Sequence, residues 1–328
     1  MSRKLILFTP LLLLAACGGE EVTVVEEAAS YTIDRSRITV SGVSSGAYMA
    51  GQLHVAYSDV FSGAGMIAGG PYACAQGDLA TALGPCLKGG DIDVAALLEK
   101  ARAAQDDNGI APLTNLSDDT AWLFHSPTDP VVSPDTTAAS IEFYESVGST
   151  VVAVDDVAVI HGFPTLDSGV ACDAFESPYV NACGYDAAGL LLSALGAGVD
   201  PAETAGGTLE IVPVDGAGDA EMLDYAYLYV PESCAAANAC GVHVALHGCV
   251  QSAEAVDDAF ATLAGYNRWA DSNDLLVLYP QVESSAMAPL NPNGCWDWWG
   301  YTGDDYATRS ASQMTAIVDL VNALAVAE

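Results

Sequence analysis

Basic side chains are what this chain has least of. Lysine and arginine number 9 against 43 aspartate and glutamate, a formal net charge of −34. Affinity for a phosphate backbone needs clustered Lys and Arg, so no nucleic-acid partner is expected. Electrostatic docking on anionic lipid is disfavoured for the same reason. No internal apolar run reaches the roughly 18 residues of a membrane span. No Cys-x-x-Cys spacing occurs, which argues against a metal site. Histidines number only five, so few side chains compete for a base.

What is present suits a globular α/β protein: 51% hydrophobic residues and 31 glycines in 328 positions. Arg3 and Lys4 precede the apolar stretch Leu5–Leu14, and Ala15-Ala16 provides small residues for cleavage ahead of Cys17. Residues 1–16 read as a lipoprotein signal and Cys17 as its acylated cysteine; the alternative is an ordinary secretory signal. Both place the protein outside the cytoplasm, at the cell surface, on the periplasmic side of the outer membrane, or released. Residues 17–30 read as the acylated cysteine with a short acidic tether, and residues 31–328 as one catalytic domain. An acidic surface suits saline surroundings, where salt screens self-repulsion.

Beyond Cys17 there are eight cysteines, an even number that export permits to pair. Composition alone allows 105 pairings. Three pairs lie close in the chain, Cys74 with Cys86, Cys172 with Cys183 and Cys234 with Cys240, which leaves Cys249 with Cys295. His243 and His247 could share a metal on a helix, but their segment reads as a strand, where they lie roughly 13 Å apart. No metal or other cofactor is expected.

Short apolar runs alternate with amphipathic stretches. Strands are expected at Arg37–Ser41, Gly65–Ala68, Trp122–His125, Thr150–Val154, Tyr225–Val230, Val242–Leu246 and Leu275–Tyr279. Helices are expected at Ala47–Tyr57, Ile92–Ala104, Thr136–Val147, Ala253–Ser272 and Tyr306–Ala325. Alternation of this kind implies a mainly parallel sheet with helices on both faces.

Within Ile38–Ala47 lies G-x-S-x-G, with Ser44 at its centre, a β-branched run before it and an amphipathic stretch after it. A sharp strand-to-helix turn strains the serine, and larger neighbours than Gly42 and Gly46 would collide. Ser45 is the competing serine, but its place suits an oxyanion amide. Of the histidines, His54 falls inside a helix and His243 inside a strand, both structural positions. His125 ends a strand where it could line a cleft. His161, in the loop His161-Gly162-Phe163-Pro164, stands where an α/β-hydrolase presents its base. The acid should lie between serine and base in the chain. Asp129 follows a strand and precedes a helix; Asp135 reads as a helix cap, and Asp155 and Asp156 as solvated loop acids. His247-Gly248 ends a buried strand, as an oxyanion turn does, yet it follows the nucleophile in the chain instead of preceding it. Either the motif is accidental or the chain is circularly permuted, which is cheap when termini lie close together.

These segments together resemble the single-domain, circularly permuted poly(3-hydroxybutyrate) depolymerases. The likeness is carried by VSGVSSGAYMAGQLHVAYSDVFSG, AGGPYAC, SPTDPVV, HGFPT, ACGYDAAG, YLYVPESC, HVALHGCVQS, GYNRWADSNDLLVLYPQ and NPNGCWDWWGY, in that order over residues 31–328. The resemblance implies an α/β-hydrolase fold with Ser44, Asp129 and His161 as triad and oxyanion amides at Ser45 and Cys249. It implies hydrolysis of poly(3-hydroxybutyrate) or its oligomers through an acyl-enzyme. The cluster Trp296, Trp298, Trp299 and Tyr301 is expected to pack in part and to offer an apolar wall for polyester; Trp269 is expected to be structural. The membrane is expected to be engaged only through the lipid on Cys17, with the protein a monomer. Competing readings are another extracellular carboxylesterase, of feruloyl or acetyl-xylan type, and a lipid-anchored binding protein on a hydrolase scaffold.

Overall fold

The computed structural model describes residues 22–25, 29–198, 200–236 and 238–325. The expected signal 1–16 and Cys17 lie outside the described residues. Twelve strands are described: β1 Val22–Val24, β2 Ile33–Val43, β3 Gly63–Ile67, β4 Thr120–Phe124, β5 Thr150–Val154, β6 Phe163–Thr165, β7 Val170–Ala171, β8 Val180–Ala182, β9 Thr208–Pro213, β10 Tyr225–Val230, β11 Cys240–Leu246 and β12 Leu275–Tyr279. Nine form one sheet in the order β1-β9-β10-β12-β11-β2-β3-β4-β5. Only β10 runs against the rest.

Both faces of the sheet are covered. On one side Val40, Val242, Val244 and Leu278 pack with the helices Ser45–Ala56, Val94–Asp106, Pro134–Val147 and Ser312–Ala323. On the other, Val43, Ala245, Val277 and Trp122 pack with the helices Ala187–Ala194 and Tyr266–Asn273. All seven residues of β11 are therefore buried, as expected for a central parallel strand. The paired burial also accounts for a run without polar alternation, in which His243 is the one exception. Its ring nitrogens bond Thr39 Oγ1 at 2.8 Å and Ser41 Oγ at 2.7 Å inside the sheet.

Strand β2, which leads into Ser44, comes early in the chain yet pairs with β11, which comes late. The ends of the domain meet: Tyr31 N–H donates to Leu324 O at 2.7 Å. A second, three-stranded sheet (β6-β8-β7) follows His161.

Several expected boundaries shift for local reasons. The helix expected over Ala253–Ser272 is three pieces, Ala253–Val256, Ala259–Leu263 and Tyr266–Asn273, broken where Asp257 (φ 53°) and Gly265 (φ 91°) turn left-handed. The helix expected from Tyr306 starts at Ser312. Before it, Thr308 Oγ1 bonds Asp305 O and takes the Ser310 N–H, a competition that side-chain oxygens offer to helical bonding. Asp135 does not cap its helix; Ser133 does, with Pro134 at the first position. Part of the expected tether, Val22–Val24, is an edge strand paired with β9.

Candidate active site

The turn from β2 into the helix Ser45–Ala56 is built on two glycines. A Cβ on Gly42 would lie 2.3 Å from the Gly46 backbone, and one on Gly46 would lie 2.4 Å from the carbonyl oxygens of Leu246 and His247. Strand, helix and the end of β11 therefore approach more closely than any side chain allows. Ser44 sits at the apex with φ 55° and ψ −121°, a conformation that costs a non-glycine residue about 1–3 kcal/mol. Its amide donates to Ile67 O at 2.9 Å, which ties the apex to β3.

Ser44 Oγ lies 3.0 Å from His161 Nε2, and His161 Nδ1 lies 2.8 Å from Asp129 Oδ2. The other carboxylate oxygen, Oδ1, accepts the amides of Val131 at 2.7 Å and Val132 at 3.0 Å. Burial alone would raise the Asp129 carboxyl. The bond from His161 and these amides outweigh it and hold the carboxyl below its ordinary range. An ionised Asp129 can only accept, so Nδ1 carries the proton and Nε2 presents its lone pair to the Ser44 hydroxyl. The acid and base loops are stitched together: Ser126 Oγ takes the Val159 N–H at 2.7 Å and Thr128 Oγ1 donates to Val159 O at 3.1 Å.

The His247–Gln251 turn lies against the serine. A Cβ on Gly248 would stand 3.4 Å from Ser44 Cβ. Gly248 O accepts from His247 Nδ1 at 2.7 Å and from Gln251 N at 3.3 Å. In a trans peptide the carbonyl and the following N–H point opposite ways, so these bonds turn the Cys249 amide away from His247. The amides of Ser45 and Cys249 donate to no protein acceptor among the described residues. Disulfides join Cys74–Cys86, Cys172–Cys183, Cys234–Cys240 and Cys249–Cys295, and the last ties this turn to the aromatic segment.

Ser44 and His161 open into a cleft of about 700 Å³. Trp298, Trp299 and Tyr301 line it, with Trp298 stacked on Tyr48 at 4.2 Å. Trp296 does not: it is fully buried and packs on His247 at 5.3 Å, behind the wall. Asp297 shapes this segment. Its Oδ1 accepts the amides of Trp299, Gly300 and Tyr301, and its Oδ2 accepts the Thr302 amide and the Thr302 hydroxyl. The inward carboxylate folds residues 299–302 back around itself.

Sequence reasoning missed most of the mouth. Leu79, Leu83, Phe175 and Leu290 line the cleft and are each about half exposed or more. The spacing of Leu79 and Leu83, apolar residues one helical turn apart beside a disulfide, was the available signal. His54 and His125 are buried away from the cleft; His54 bonds Tyr144 and Asp119, and His125 lies 3.3 Å from Thr137 Oγ1. Trp269 packs in the second core and donates to Asp186. Among the described residues no cluster of His, Cys, Asp or Glu could hold a metal ion, and no helix is long and apolar enough to cross a membrane.

Burial pushes His243 down to about 3, and pushes His247 down to about 4 against the bond to Gly248. Both stay neutral in the fold while the unfolded chain takes up protons below its ordinary histidine pKa of about 6.5. Their stabilisation is complete above that value and is lost as pH falls towards 4, by about 2 kcal/mol per histidine at pH 5. Thermal unfolding should therefore drop on the order of 5 °C or more between pH 7 and pH 5. A flat or rising midpoint over that interval would contradict the two buried neutral rings.

No family model matches the chain. It is 36% identical over 319 residues to a poly(3-hydroxybutyrate) depolymerase of Delftia acidovorans, covering 94% of this chain and 64% of that protein's length. It is 35% identical to a polyhydroxybutyrate depolymerase of Talaromyces funiculosus, covering 94% of this chain and 95% of that one. Among solved structures it superposes on a PHB depolymerase from Penicillium funiculosum with TM-score 0.84 and 33% identity, over 91% of this chain and 98% of that one. A serine-to-alanine form of a PHB depolymerase, complexed with an R3HB trimer, gives the same figures.

Proposed function

The chain belongs to the poly(3-hydroxybutyrate) depolymerase family, and from that premise we propose that it is a serine esterase cleaving poly(3-hydroxybutyrate) or its 3-hydroxyalkanoate oligomers through an acyl-enzyme on Ser44. The observation that carries the reading is the unbroken path Ser44–His161–Asp129 at the floor of an apolar cleft.

His161 Nε2 takes the Ser44 proton as Oγ attacks the ester carbonyl. The amides of Ser45 and Cys249 donate to the developing oxyanion, each worth on the order of 100- to 1,000-fold in rate. His161 then gives its proton to the leaving alkoxide. Water, deprotonated by the same imidazole, releases the 3-hydroxyacyl group and restores the serine. No cofactor enters these steps. Trp298, Trp299 and Tyr301 supply the wall along which methyl-bearing ester units lie. The exposed rim of Leu79, Leu83, Phe175 and Leu290 favours a chain long enough to leave the cleft over an apolar edge. A monomer suffices, since the three side chains come from one chain.

The permuted α/β-hydrolase topology is supported by the pairing of β2 with β11 and the meeting of the domain ends at Tyr31 and Leu324. Four disulfides suit an oxidising compartment. We place export in residues 1–16 and the lipid on Cys17. Within the expected tether, β1 pairs with β9, and none of its residues lines the cleft. Membrane retention should be lost in Cys17→Ala; retention of that variant would remove the anchor.

The substrate is tested by incubating purified protein with polymer film, defined 3-hydroxybutyrate oligomers, and aryl and acetyl esters. Soluble 3-hydroxybutyrate products are expected from polymer or oligomer. Hydrolysis confined to aryl or acetyl esters would move the protein to another esterase class. Absence of hydrolysis together with absence of fluorophosphonate labelling would make it a binding protein.

A further inference from the structure

Gln251 is almost fully buried, at 3% exposure, yet it borders the cleft and has no part in the reaction steps. Its amide is used at both ends. Oε1 accepts the Gly248 N–H at 2.8 Å. Nε2 donates to Pro178 O at 3.0 Å and Tyr179 O at 3.1 Å. The first contact lies in the turn whose next peptide carries the Cys249 amide. The second reaches the segment that packs behind the base: Tyr179 O also accepts Phe163 N–H at 2.8 Å, and a Cβ on Gly162 would meet that same oxygen at 2.8 Å. His161 is the residue before Gly162.

A single side chain thus bridges two segments far apart in sequence. On one side stands the turn whose Gly248 packs on Ser44, on the other the loop that carries its base. Other ties of the turn, the Cys249–Cys295 disulfide, the bond from Val250 N to Asn293 O at 2.7 Å and that from Val282 N to His247 Nε2 at 3.2 Å, run away from the base. Among the described residues Gln251 alone makes a side-chain hydrogen-bond link between Gly248 and the Pro178–Tyr179 carbonyls. Only a primary amide serves here, because it offers an acceptor and two donors from one planar group.

We propose that Gln251 is a positioning residue that locks the oxyanion turn to the base-bearing loop, so that the Cys249 amide and His161 keep one fixed relation to Ser44. It touches no reacting atom. It acts by geometry, and a misplacement near 1 Å costs on the order of 100-fold in rate. The inference rests on the esterase reading given above.

The test uses two variants of the full protein and a soluble 3-hydroxybutyrate oligomer. Gln251→Met keeps the volume and removes every bond. Gln251→Glu keeps the acceptor for Gly248 and, when ionised, loses the donors to the two carbonyls. For Gln251→Met, kcat should fall roughly 30- to 100-fold with KM changed less than about threefold. For Gln251→Glu the fall should be smaller, roughly tenfold, with KM again nearly constant. A role confined to packing would lower stability without this split. The proposal is overturned if both folded variants keep kcat within about threefold of the original, or if the loss lies in KM alone. It is also overturned if neither variant folds, since Gln251 would then hold the fold as a whole. Where Gln251→Met does not fold, the isosteric Gln251→Glu decides. Failure of the esterase reading looks different: the unmodified protein would not hydrolyse the oligomer, and Ser44→Ala would change nothing.

Discussion

Replacing Ser44 by alanine should lower kcat on 3-hydroxybutyrate oligomers by about a million-fold while leaving the protein folded. The size follows from the way the three side chains act together. Without Oγ there is no acyl-enzyme, and the imidazole 3.0 Å away has nothing to deprotonate but water in a poor position. What survives is the contribution of the oxyanion amides and of binding, roughly 1,000- to 10,000-fold over water. The fold should tolerate the change, because the apex conformation is imposed by its flanks. Gly42 and Gly46 are packed against backbone, and the Ser44 amide is tied to Ile67 O. Product release measured by chromatography, with the unfolding midpoint as control, checks the expectation. Hydrolysis within tenfold of the original by a purified, folded Ser44→Ala protein would leave the nucleophile unidentified.

Asp129→Asn should cost about 10,000-fold in kcat, although it alters one atom. The amides of Val131 and Val132 both point at Oδ1 and require an acceptor there. The asparagine carbonyl oxygen takes that place, which puts its NH2 group where Oδ2 now accepts from His161. A donor facing Nδ1 forces the proton of neutral imidazole onto Nε2. The ring then presents N–H to the serine oxygen and cannot act as its base. Stability should change little near neutral pH if the loop bonds persist. Kinetics on the soluble oligomer, paired with slow fluorophosphonate labelling of Ser44, would report the effect. Full activity of Asp129→Asn would mean that the carboxylate does not set the tautomer.

The legible parts of this protein are those decided by near neighbours. A β-branched run and two glycines around a serine specify the strand-to-helix apex, because the steric demand on Gly42 and Gly46 arises within a few residues; the helix that follows, expected to be amphipathic, is buried on every side. The strand at Thr150–Val154 was readable to its ends for the same reason. The small sheet β6-β8-β7 was not, since its strands of two and three residues carry no period to detect. The cleft wall was only half readable. Its apolar members come from separate stretches around Leu79, Phe175 and Leu290, and apart from the one-turn spacing of Leu79 and Leu83 no local pattern distinguishes them from solvated surface. Trp296 and Trp298 stand two residues apart in one aromatic cluster. Of the two, Trp298 meets the cleft and Trp296 does not, and composition says nothing of that.

The sequence by itself determined a doubly covered, mainly parallel sheet and an apex that presents one serine, both consequences of short-range sterics and of composition. It singled out His161 among five rings as the expected base and Asp129 among a few carboxylates as the expected acid. Tertiary structure alone decided that His161 and Asp129 reach Ser44, that β11 lies beside β2, and that Gln251 spans the two halves of the site. Those facts depend on the order in which strands associate across the sheet. That order is fixed by burying two faces at once, a property of the whole chain that no window of residues contains.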